Sequence, residues 1–82
     1  MLTRDNFDDF VKSLSDENKK MCREFYGQKE YIYISFTSYG DIIKFIPTND
    51  NTNIYMDEIN SKEWDGNSYL IRLDEIIEII GE

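Results

Sequence analysis

At Glu30 the apolar spacing changes from the repeat of a helix to the repeat of a strand, and this switch points the chain toward an α+β architecture. Upstream, Phe7, Phe10, Val11 and Leu14 fall at i, i+3, i+4 and i+7, which lines one face of a helix. Thr3 or Asp5 is placed to cap its start. Ser15 followed by Asp16 and Glu17 reads as a second helix N-terminus, with an acceptor for orphan N–H groups and two carboxylates in the positive first turn. Met21, Cys22, Phe25 and Tyr26 continue the apolar face to Gly27, a residue suited to a C-terminal cap. One bent helix or two short ones satisfy this pattern.

Downstream, Ile32, Ile34 and Phe36 alternate with Tyr31, Tyr33, Ser35 and Thr37, the period of two of a strand with one face in the core. Ser38-Tyr39-Gly40-Asp41 supplies turn chemistry, and Ile42 to Ile46 reads as the second strand of a hairpin that Pro47 ends, since proline cannot donate to a ladder. Residues 48–53 read as a polar loop, Ile54-Tyr55-Met56 as a short third strand, Trp64-Asp65-Gly66-Asn67 as a turn, and Tyr69 to Leu73 as a fourth strand. In the last stretch, Leu73, Ile76, Ile77 and Ile80 fit a helix, while the four isoleucines favour a strand. The expectation there is a turn at Asp74-Glu75 and a short final strand. The expected fold is α+β: an N-terminal helix or helical hairpin (1–28) packed on a four- to five-stranded antiparallel sheet (30–82), which strong curvature would close into a small barrel. At 82 residues the chain has room for a single core and domain.

Composition narrows the function. Histidine is absent, which removes the commonest neutral-pH base, the commonest metal ligand and every Ser-His or Cys-His pair. The four glycines are isolated, so no phosphate-binding loop is present. Asp57 with Glu58 and Asp74 with Glu75 are adjacent acids, and neighbours on a strand point to opposite faces, so neither pair converges on one substrate. Residues 49–60 have the composition of a calcium loop without its central glycine or terminal glutamate. Cys22 has no partner in the chain and lies on the apolar helix face, where a core role outweighs a reactive one; Lys19 and Arg23 would favour a thiolate only if the sulfur were exposed. A lone cysteine, no leader with a cleavage site and no apolar run near the roughly 18 residues of a membrane span together suggest the cytoplasm. No enzyme activity, cofactor or metal is expected.

Charge is the most informative number: 17 acids against 9 bases give a net of −8. Residues 1–30 carry seven acids and six bases, a net of −1, whereas residues 31–82 carry ten acids and three bases, a net of −7. Such a field repels phosphate backbones and anionic membranes and steers in a basic protein surface. Alternate residues on a strand project to one side about 6.6–6.8 Å apart, comparable with two phosphate steps of a DNA strand. Glu63 and Asp65 have this spacing, and Asp57, Glu58, Asp74, Glu75 and Glu78 extend the row if their strands are adjacent. Trp64 between two carboxylates, with Tyr55 or Tyr69, would supply anchoring.

The leading expectation is therefore a non-catalytic acidic protein-binding module. It would occupy the nucleic-acid-binding surface of an enzyme as a nucleic-acid mimic, of the kind mobile elements use against host defence or toxin producers use for immunity. The alternative is a structural or adaptor subunit that forms a homodimer or docks through a sheet edge or the helix face of residues 3–26, its charge serving solubility.

Overall fold

The N-terminal apolar stripe folds as two helices, α1 (Phe7–Lys12) and α2 (Asp16–Phe25). Neither Thr3 nor Asp5 caps α1: its N-cap is Asn6, which exchanges bonds with Thr3, the Thr3 N–H donating to Asn6 Oδ1 (2.8 Å) and the Asn6 N–H to Thr3 Oγ1 (3.3 Å). The chain breaks at Ser13, whose hydroxyl donates back to the Phe10 carbonyl. Ser15 then starts α2, its Oγ accepting from the Asn18 N–H at 3.1 Å, with Asp16 and Glu17 in the first turn. At the other end Gly27 takes φ +90°, where a Cβ would be strained, and the Gln28 and Lys29 N–H groups both close on the Phe25 carbonyl.

The computed structural model describes residues 2–50 and 68–82. After the helices come β1 (Tyr31–Phe36), β2 (Ile42–Thr48), β3 (Ser68–Arg72) and α3 (Leu73–Ile80). The strands form an antiparallel sheet in the order β2-β1-β3. Among the described residues the sheet therefore has three strands, packed on helices as an α+β fold; a fourth or fifth strand and closure into a barrel are not shown. The expected strand at 54–56 and the turn at 64–67 lie outside the described residues.

Register follows from one bond. The Leu73 N–H donates to the Glu30 carbonyl (2.8 Å), and alternate residues of a central strand bond to alternate neighbours. Ile32 and Ile34 therefore bond to Ile71 and Tyr69 of β3, while Tyr31, Tyr33 and Ser35 bond to β2. Pro47 lies opposite Ile32, where the ladder asks for no N–H. That is why proline sits inside β2 instead of ending it. The hairpin turn is closed at both backbone and side chain: the Thr37 N–H donates to the Asp41 carbonyl (2.8 Å), and Thr37 Oγ1 accepts from the Tyr39 and Asp41 N–H groups. Beyond it, a bulge leaves Ile43 unpaired between the Ser35–Lys44 and Phe36–Ile42 pairs.

The main correction is at the C-terminus, where Leu73–Ile80 is a helix and not a strand. Leu73, Ile76 and Ile77 are buried on the side that meets the sheet, with Ile79 and Ile80 partly so, and burial of this face outweighs the strand preference of isoleucine. Asp74 and Glu75 fall in the first turn, where the macrodipole favours them. Arg23 caps the far end, its guanidinium donating to the Ile80 and Gly81 carbonyls at 3.1 and 3.0 Å. All three helices lie on the face of the sheet bearing Ile32, Ile34, Phe36 and Ile71, and the core joins these to Phe7, Val11, Leu14 and Cys22. Phe10, Phe36 and Tyr69 meet edge to face, with centroids 5.6 and 5.9 Å apart.

On a strand Ile76 and Glu78 would share a face; on α3 they do not. Ile76→Ala is expected to cost about 2–5 kcal/mol and Glu78→Ala less than about 0.5 kcal/mol in urea unfolding. Equal effects at the two positions would contradict the helix.

Candidate protein-binding surface

Four residues of the expected binding surface, Tyr69, Asp74, Glu75 and Glu78, are described, while Tyr55, Asp57, Glu58, Glu63, Trp64 and Asp65 lie outside the described residues. The three acids stand on a helix, so the strand spacing that would set them in a phosphate-like row does not apply to them. Asp74 and Glu78 are one turn apart on the exposed side, and Glu75 is half-buried.

Two of these acids are neutralised within the fold. The Arg72 guanidinium grips Asp74 with two bonds, Nε to Oδ1 at 3.2 Å and Nη2 to Oδ2 at 3.1 Å, and reaches Glu30 at 3.6 Å. That hydrogen-bonded pairing holds the Asp74 carboxyl below its ordinary range and Arg72 above its own. Glu75 pairs with Arg4 at 3.1 Å, and Arg4 also lies over the Phe7 ring, 5.6 Å from its centroid. Glu78 is exposed and has no ion-pair partner among the described residues.

The aromatic residues sort differently from their spacing. Tyr69 points to the helix side, where it packs on the core against Phe36. Tyr33 is on the opposite face and is only 2% exposed, and its neighbour Ser35 is fully buried with its Oγ 3.0 Å from that of Ser68. β1 is thus buried on both faces, where one was expected. The most exposed aromatic among the described residues is Tyr39, at 92%, on the tip of the β1–β2 turn. It was not among the expected anchors, although its place between Ser38 and Gly40 in a turn, with no inner face to bury against, was the available signal. Ile43, the bulge residue, is the next most exposed large apolar side chain among the described residues.

No group of three acids and cysteine that could hold a metal ion exists among the described residues, and no described helix is long and apolar enough to cross a membrane. Comparison with protein-family models, with curated proteins and with solved structures returned no match.

Cys22 is fully buried in the helical layer, and burial pushes its thiol up to about 11 against the opposing pull of Arg23. Because the folded state holds the proton more tightly than the unfolded one, the stabilisation is complete below the unfolded value of 9.0 and is lost as pH rises toward about 11. The native thiol is expected to react with a thiol reagent at pH 8 only as fast as the chain opens, and denaturant midpoints of Cys22→Ala should fall less between pH 9 and 11 than those of the native chain. A fast native reaction would show the sulfur accessible.

Proposed function

We propose that this chain is a non-catalytic acidic protein-binding module that occupies the basic, nucleic-acid-binding surface of an enzyme and so inhibits it. The observation that carries this reading is charge: a net of −8, of which −7 falls in residues 31–82. Uncompensated carboxylates at this density raise the encounter rate with a basic groove and disfavour contact with nucleic acid itself.

Within this reading the roles of the residues are weighted by their pairing and exposure. Asp74 and Glu75 are held by Arg72 and Arg4, so their charge is largely cancelled at the surface. Steering then rests on Glu78 and on Asp57, Glu58, Glu63 and Asp65. Tyr39 takes over from Tyr69 as an anchor, because it presents nearly its whole side chain on a turn already closed by hydrogen bonds and loses little freedom on docking. Trp64 and Tyr55 remain in the proposal as anchors.

The test is capture of the target from cell extract at low and at high salt, followed by displacement with DNA or RNA. The variant Asp57→Asn, Glu58→Gln, Glu63→Gln, Asp65→Asn, Glu78→Gln should slow association by about tenfold or more at low salt. Asp74→Asn with Glu75→Gln should change it little. A captured nucleic-acid-processing enzyme that competing nucleic acid releases, and whose activity the native chain suppresses, supports the reading. Capture indifferent to salt and to the five substitutions would refute it.

A further inference from the structure

The two outer strands of the sheet are built differently. β2 carries Pro47 and the bulge at Ile43, both of which blunt an edge against pairing with another chain. β3, Ser68-Tyr69-Leu70-Ile71-Arg72, contains no proline and pairs with β1 in unbroken register. Since Tyr69 and Ile71 bond to β1, the backbone groups of Ser68, Leu70 and Arg72 point away from the sheet. Among the described residues no strand pairs with them. The Leu70 side chain is 39% exposed, and beside it a pocket of about 220 Å³ opens toward Leu2 and Phe7.

Charge identifies what this edge can meet. A chain of net charge −8 repels its own copy overall, so self-association is favoured at a patch where acid does not face acid. Residues 68–72 contain no acid, and the nearest ones, Asp74 and Glu75, are those paired with Arg72 and Arg4. The edge is also self-complementary. An antiparallel pairing centred on Leu70 sets Leu70 against its counterpart, exchanging both N–H···O bonds, and sets each Arg72 N–H against the Ser68 carbonyl of the other copy. No like charges are opposed, and the two exposed leucines cover one another.

We infer that β3 is the interface of a two-fold homodimer, in which the sheets of two copies join edge to edge through Ser68, Leu70 and Arg72. This gives strand and residues to self-association through a sheet edge and is independent of the inhibitor reading, which a monomer or a dimer could serve.

Sedimentation and amide hydrogen exchange of the native chain, over roughly a hundredfold range of concentration, test it. The mass is expected to rise from one chain to two, and more readily at high salt, which screens the repulsion between copies. Over the same range the Leu70 and Arg72 amides should become protected, whereas those of Tyr69 and Ile71 are protected throughout by the β1 ladder. Leu70→Lys, which opposes two cations across the axis, should remain folded and monomeric, and Leu70→Val should still dimerise. A single-chain mass at every concentration and salt, a dimer that survives Leu70→Lys, or protection of Leu70 that appears only on adding another protein would each overturn the inference. Salt strengthens this contact and weakens capture of a basic target, so the two proposals fail separately.

Discussion

The bond from the Leu73 N–H to the Glu30 carbonyl holds the two halves of the fold in register. It closes the β1–β3 ladder at the residue where β3 ends and α3 begins, so that strand and helix meet with no connecting loop. The Leu73 side chain, 1% exposed, is at once the first residue of the buried face of α3 and a link to the sheet core. Arg72, one residue earlier, spans the same joint from outside by pairing with Glu30 before β1 and Asp74 after it. Each such exposed pair contributes little by itself. Their value is in direction, because they favour the sharp turn from extended to helical backbone that lays α3 back over the strands.

Local pattern was enough to reveal the helical N-terminus, as one bent helix or two, with the hairpin and the strand at Tyr69, because each is set by spacing within a few residues or by a cap such as Ser15. It failed where a distant partner decides. Isoleucine prefers strands, yet Ile76 and Ile77 are helical because α1 and α2 supply the apolar surface that α3 covers. Pro47 looked like a strand end because its position on an outer strand, facing away from β1, depends on register. The burial of Tyr33 and Ser35 on the face away from the helices is likewise set by tertiary packing, which alternation along one strand does not reveal.

The candidate site was less legible than the fold for the same reason. Net charge is additive and can be read by counting, but pairing is not. Glu75 meets an arginine 71 positions away in sequence, and nothing in the spacing of either residue announces the other. Counting therefore overstated the acidity that α3 presents, and it passed over Tyr39, whose exposure comes from a turn closed by Thr37.

The internal pairing of Asp74 and Glu75 also has a structural logic that solubility alone would not require. Acids meant only to keep a chain dispersed work best unpaired, and pairing them with arginine discards that benefit. Here both paired acids flank the strand that lacks proline and bulge, and Glu78, without an ion-pair partner among the described residues, lies one turn further along α3. The arrangement leaves β3 with no uncompensated acid directly beside it among the described residues. Two copies of an acidic chain meet with the least electrostatic cost along such a seam.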